Sequence, residues 1–258
     1  MSTALRQTLT GIAGVLLALA VWQLAATVGP FADSPLPSAT ASIAEAAALL
    51  ATPAMWSATA VTVAIALGGL VVATVIGVVF GVGIGVSPVL LHATRVPLEF
   101  LKPIPPIVIL PLAVLVLGPT WQMGMFLTVF GCVFAIAMQT SAGVFDTDPV
   151  ALSTSRSYGM GRGEILGRVV LPSALPYIGT SIRVSAPTSL IIAVVAGLLG
   201  GGPGLGQSLL QAQLAGNQPQ LFAYVLILGI LGLCVQWGSQ AAERRMLHWH
   251  PQYRKATF

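Results

Sequence analysis

Residues 148–176, DPVALSTSRSYGMGRGEILGRVVLPSALP, form a polar, glycine-punctuated island in a chain that is otherwise almost continuously apolar. Its two flanks are long apolar runs, so the island reads as a loop between two membrane spans, held in water. Asp148 and Pro149 predict a helix start, with the carboxylate as cap and proline at the first helical position. A short helix reaches to about Tyr158, and Gly159 and Gly161 supply the backbone freedom for a turn. From Arg162 a second helix sets Ile165, Leu166, Val169 and Val170 on one face. Glu164 and Arg168, four apart, are placed to pair on its outside. Leu171-Pro172 is expected to end it. The island is therefore read as a helix–turn–helix knob between spans.

The rest of the chain fixes the fold class. Of 258 residues, 56% are hydrophobic and 7% charged, far below the roughly 25% charged residues of a soluble domain. Six stretches approach the roughly 20 residues that cross a bilayer: 11–28, 57–86, 98–118, 121–143, 177–199 and 221–238. They are long and uniformly apolar rather than alternating, which argues against a barrel, and helices satisfy their own backbone groups in lipid. The expectation is an all-α polytopic membrane bundle. It forms a single domain over 1–258, with the aqueous loop at about 144–176.

Sidedness follows from the cations. Arg6, Arg95, Lys102, Arg156, Arg162, Arg168, Arg183, Arg244, Arg245, Arg254 and Lys255 are all the Lys and Arg residues. With six spans and the N-terminus inside, each falls in a cytoplasmic segment or near the cytoplasmic end of a span. Segments 29–56, 119–120 and 200–220 contain none. The positive-inside rule then predicts both termini in the cytoplasm of a prokaryotic cell. The net charge of +4 is explained by anionic membrane lipid and needs no nucleic-acid partner. The first span could instead be a cleaved signal peptide, but its apolar run exceeds the usual h-region. Cys132 and Cys234 fall inside spans and read as small packed hydrophobes, with no disulfide or metal framework.

Between the spans, Leu36-Pro37-Ser38 reads as a turn and 42–50 as a short helix on the membrane surface. Gly77, Gly81 and Gly85 make a bare ridge along one helix face, suited to close intramolecular packing or to a dimer contact. Lys102-Pro103-Ile104-Pro105-Pro106, with Pro111 beyond, must kink or break the start of the third span. That break is either a hinge and pathway wall or simply a proline-rich helix start. Gly200-Gly201-Gly202-Pro203-Gly204-Leu205-Gly206 is a sharp turn, with a short helix over 207–215.

The island resembles the cytoplasmic loop of permeases in binding-protein-dependent ATP-binding-cassette importers. That loop typically reads Glu-Ala-Ala, three residues, Gly, about nine residues, an aliphatic, one residue, Leu-Pro. Gly159 matches its glycine and Val169-Val170-Leu171-Pro172 its ending, with Arg156 at a position that is often basic. Ser153-Thr154-Ser155 replace Glu-Ala-Ala, a departure that removes any contact made by the usual glutamate. Leu36-Pro37-Ser38, the Lys102–Pro106 stretch, Gly204-Leu205-Gly206 and Ala242-Glu243-Arg244-Arg245 resemble the subfamily serving sulfonate, taurine and nitrate. The resemblance implies a half-transporter: two permease copies form the pathway, two ATPase subunits dock on the loops, and an extracytoplasmic binding protein delivers solute. The coupling surface would comprise Ser153, Thr154, Ser155, Arg156, Tyr158, Gly159, Gly161, Ile165, Leu171 and Pro172. No Gly-x-x-x-x-Gly-Lys-Ser/Thr loop occurs, so ATP and Mg would be held by the partner and this chain would need no cofactor.

Two other functional classes fit the sequence less well. A self-contained secondary transporter or channel is the alternative. Ion-coupled carriers usually keep ionisable groups in the membrane, whereas Asp33, Glu45, Glu99, Asp146, Asp148, Glu164 and Glu243 all avoid mid-span positions. An intramembrane enzyme finds no support, because His92, His248 and His250 lack a carboxylate cluster or metal spacing. His248-Trp249-His250 reads better as an interfacial anchor. Pathway candidates are Thr188, Ser189, Gln122 and Gln139, beside Thr128. Most such groups merely bond across helices. Arg183, early in the fifth span, either snorkels to the interface or acts as a cationic lure for an anionic solute.

Overall fold

The computed structural model describes residues 3–29, 31–32 and 34–249. The sequence readings that involve Asp33, His250, Arg254 and Lys255 fall outside them. Among the described residues there is no strand. The helices are α1 (Thr3–Thr27), α2 (Ala39–Leu50), α3 (Pro53–Val86), α4 (Pro88–Leu101), α5 (Pro106–Leu117) and α6 (Trp121–Phe145). They continue with α7 (Pro149–Ser157), α8 (Arg162–Ile165), a π-helical turn (Leu166–Val170), α9 (Leu171–Gly200), α10 (Leu205–Leu214) and α11 (Gln218–Met246).

Five helical stretches are long and apolar enough to cross a membrane, and a sixth is reached only by joining α4 and α5 across a 90° bend. The interruption falls at the Lys102–Pro106 start of the expected third span, 98–118, where the prolines were expected to kink or break the helix. Ser87 caps α4, its side chain accepting from the N–H of Leu90, so the run from Pro88 to Leu101 is a helix of its own. Pro105 is extended, at φ −65° and ψ 137°, and α5 restarts with Pro106. Prolines cannot supply the backbone donors that would carry one helix through. At 12 residues, α5 is about 18 Å long, short of the roughly 30 Å hydrocarbon core.

The chain divides into two compact units, Met1–Ala58 with Ser208–Ile230, and Thr59–Gln207 with Leu231–Phe258. In the first, α2 begins at Ala39, earlier than expected, because Ser38 caps it by accepting from the N–H of Ala41 at 3.2 Å. Two side chains of α1 hold that corner. The Trp22 indole N–H donates to the Pro37 carbonyl at 3.1 Å, and Gln23 Oε1 accepts from the Thr40 N–H at 3.1 Å. Trp22 also packs on Phe222, with ring centroids 5.8 Å apart.

In the second unit α6 and α9 pack together, and α5 contacts both through Leu110, Ala113, Met123, Leu127 and Ala196. The glycine ridge of α3 lies along α6. A Cβ on Gly77 would sit 2.9 Å from Ile136, one on Gly85 2.5 Å from Val144, and one on Gly81 would overlap the Ala137 carbonyl. The ridge thus serves packing within the chain. The turn after α9 uses positive φ at Gly201 (70°) and Gly204 (121°), which side chains strongly resist. It lays Gly206 directly on the backbone of α9 at Val194 and Leu198.

Thr62 of α3 closes this corner, its Oγ1 accepting from the buried N–H of Leu205 at 2.8 Å. Thr62→Val keeps the shape but orphans that donor, at a cost of about 2 kcal/mol. Unfolding measured in detergent should show the loss for valine and little for Thr62→Ser, which keeps an acceptor.

A correction concerns Leu171-Pro172. The helix does not end there but runs from Arg162 to Gly200 without a break. The reason lies one turn earlier, where the N–H of Leu171 bonds the Leu166 carbonyl in i→i−5 fashion. This wider π turn gives the Pro172 ring the room that an α-helical turn would deny it. Beyond it Ala174 and Ile178 are buried, so packing rewards continuation.

Candidate functional site

The loop is built as two arms on a packed base. Asp148 caps α7, its Oδ1 accepting from the Val150 N–H at 2.8 Å, and Pro149 takes the first helical position. On α7, Ser153 and Thr154 are exposed while Ser155 is buried, its hydroxyl donating to the Ala151 carbonyl at 2.7 Å. Arg156 lies in the last turn of the arm, and Tyr158 stands 83% exposed just beyond it. Gly159 turns the chain at φ +75°, held by its N–H donating to the Arg156 carbonyl at 3.0 Å.

Gly161 precedes α8, whose Glu164 pairs with Arg168 of the π-helical turn at 2.8 Å, as the spacing implied. Underneath, Leu152, Ile165 and Leu166 pack against Val144, Val170, Ala174 and Ile178. A cavity of about 710 Å³ remains between the arms and the ends of α3 and α6, lined in part by Arg156, Met160 and Arg162. Leu171 and Pro172 are half-buried in the continuous helix. The arms therefore present hydroxyls, arginines, an exposed tyrosine and bare backbone on a rigid apolar footing. This arrangement can dock a protein surface, and it offers no nucleophile–base pair.

The polar groups nominated for the pathway do not converge. Gln122 is exposed at the start of α6, and Gln139 is half-buried 17 residues later, about 25 Å along the helix. Thr128, Thr188 and Ser189 bond carbonyls of their own helices, at Gly124 (2.8 Å), Val184 (3.2 Å) and Ala186 (2.7 Å). This replaces the expected bonds across helices. Thr128 and Ser189 are fully buried, whereas Thr188 is exposed in line with Val184 and Ile191. Cys132 is buried as expected, but Cys234 is exposed on α11. Among the described residues no three His, Cys, Asp or Glu side chains come together as a metal site.

Arg183 has a partner that the sequence reading missed. Its Nε lies 2.8 Å from Oε2 of Glu243 on α11, close but not aligned as a directed hydrogen bond. Glu243 is only 5% exposed and Arg183 32%. The other carboxylate oxygen accepts from the Thr180 hydroxyl at 3.0 Å. Gly179 lets α11 settle here, since a Cβ would come within 2.8 Å of Met246 and 3.2 Å of Leu247. The only hint in the sequence was an acid at the end of an apolar run. Nothing local pairs it with a residue sixty positions earlier.

Comparison with known proteins agrees with this architecture. A probable ABC transporter permease protein of Brucella melitensis is 30% identical over 151 residues, 58% of this chain and 61% of that protein. The chain thus matches less than two thirds of the length of that relative. The taurine transport system permease protein TauC of Escherichia coli is 28% identical over 200 residues, covering 76% of this chain and 71% of its own. Among solved structures, an inward-facing form of the MetNI methionine ABC transporter superposes with a TM-score of 0.66. It covers 74% of this chain and 95% of the matched one at 21% identity, a likeness of fold alone. Residues 73–248, from mid-α3 past the loop to the end of α11, match the family model itself. The chain belongs to the family of inner-membrane components of binding-protein-dependent transport systems.

Proposed function

We propose that the chain is the membrane permease subunit of an ATP-binding-cassette importer for a small anionic solute of the sulfonate, taurine or nitrate kind. The observation that carries this reading is the two-armed loop on its packed base, set between spans in a chain of this family. The solute class leans on the likeness to a taurine permease and on the motifs of that subfamily. The pathway forms between this chain and a second copy. Separate ATPase subunits hold ATP and Mg and grip Ser153, Thr154, Arg156, Tyr158, Gly159 and Gly161, and an extracytoplasmic binding protein supplies the solute. Both termini and the loop lie in the cytoplasm, where the excess of Lys and Arg belongs. Nucleotide-driven closure of the ATPases draws the loops together, and the unbroken helix from Arg162 to Gly200 carries that movement into the membrane as a lever.

The test is affinity purification of the tagged chain in mild detergent. A stoichiometric ATPase should co-purify and should be lost on deleting residues 153–165. A monodisperse particle that moves solute in liposomes without ATP would instead identify a self-powered carrier.

A further inference from the structure

We propose that the cleft between α3, α4 and α6 is a binding site for an anionic phospholipid. Its place in the fold sets the level. Ile84 stands at the end of α3, and Met138, Ser141 and Phe145 lie in the last turns of α6. Two spans therefore end at the cleft, where hydrocarbon gives way to headgroups. Through the 90° bend, α4 lies across these ends instead of continuing the line of α5.

The cleft holds about 390 Å³ and has two chemistries. Leu91, Leu98, Met138 and Phe145 line an apolar slot for an acyl chain. Arg95, Glu99 and Lys102 stand at the same cleft. Arg95 meets Glu99 at 3.2 Å, but both side chains are about 70% exposed (71% and 68%), and such a pair holds its members weakly. Lys102 has no ion-pair partner among the described residues. The charged lip is thus net positive and rich in donors, which suits a phosphodiester without a compensating ammonium.

The outer side of α4 points to the same occupant. No residue of α4 is buried, and Val89, Val96 and Phe100 are at least 70% exposed. His92, Arg95 and Glu99 form a narrow polar strip at helical spacing between that face and the cleft. A helix that is apolar on both flanks of a polar strip lies in the plane of the membrane interface. Bilayer covers the exposed flank, and one lipid, with its phosphate at Lys102 and Arg95, fills the other. The site needs no ATPase or solute and stands apart from the transport reading.

The experiment places the whole protein in phosphatidylcholine nanodiscs carrying a trace of photoactivatable phosphatidylglycerol or photoactivatable phosphatidylcholine. Labelled peptides are then mapped. The glycerol probe should label 84–102 and 138–145 well above the choline probe, while peptides of α1 take both equally. Arg95→Gln with Lys102→Gln should cut that label by about fivefold for each cation removed. Arg95→Lys with Lys102→Arg should keep it, and Glu99→Gln should raise it. Equal labelling by both probes, unchanged in the double Gln variant, means ordinary annular lipid and overturns the proposal. So does absence of label together with a Phe100→Cys disulfide between two chains, which would put a second copy on this face.

Discussion

Glu243→Ala should destabilise the protein by about 3 kcal/mol, the lower end for breaking a buried ion pair. The lower end applies because Arg183, left without its counter-charge, is about one-third exposed at 32% and draws some help from water. The substitution also strips the Thr180 hydroxyl of its acceptor. Unfolding in detergent measures the loss, and a double-mutant cycle apportions it. Replacing the pair together, Arg183→Met with Glu243→Leu, should return most of the stability, since apolar side chains of similar volume often match a buried pair. If that double variant is as unstable as Glu243→Ala, the pair is not the source. The loss would then belong to the Thr180 hydroxyl, which both variants leave without its carboxylate acceptor. The cycle also bears on solute recognition. A guanidinium neutralised by Glu243 is a poor lure for an anion, so normal transport by Arg183→Gln with Glu243→Gln would remove Arg183 from the pathway.

The Arg183–Glu243 pair joins residues sixty positions apart, and no local sequence pattern encodes it. Features decided within one helical turn were legible: the Asp148 cap, the Glu164–Arg168 pair and the Gly159 turn each need only near neighbours. The glycine ridge was legible too, because spacing alone reveals a bare face, although the partner helix α6 was not. Three features depend on what the fold brings from afar. Glu243 meets Arg183, and Thr62 meets Leu205, across distances no local pattern records. Pro172 could have ended its helix, and the π turn at 166–170 together with the buried places for Ala174 and Ile178 tipped the balance toward continuation. At Lys102–Pro106 the same residue type broke the helix outright, because consecutive prolines leave no donors to bridge the gap. Proline signals trouble for a helix, and packing decides the remedy.

The second large effect falls on the loop and separates strain from docking. Gly159→Arg should weaken capture of the ATPase by about 2 kcal/mol, roughly thirtyfold, as expected for bulk placed in the centre of an interface. A Cβ at Gly159 would meet nothing within 4 Å, so a larger side chain there starts out into open space beside the exposed Tyr158. Its internal cost is the left-handed backbone, φ +75°, about 1–2 kcal/mol for a residue with a Cβ. Gly159→Ala carries that strain without the bulk and should dock nearly as well as the parent chain. Gly161→Arg carries the bulk without the strain, because Gly161 sits at φ −68° in equally open space, and should dock as poorly as Gly159→Arg. ATPase pull-down and solute-stimulated hydrolysis, read side by side on the three variants, decide the matter. Gly159→Ala failing like Gly159→Arg would trace the effect to the turn itself. Full hydrolysis and transport by both arginine variants would mean that the loop is not where the ATPase grips.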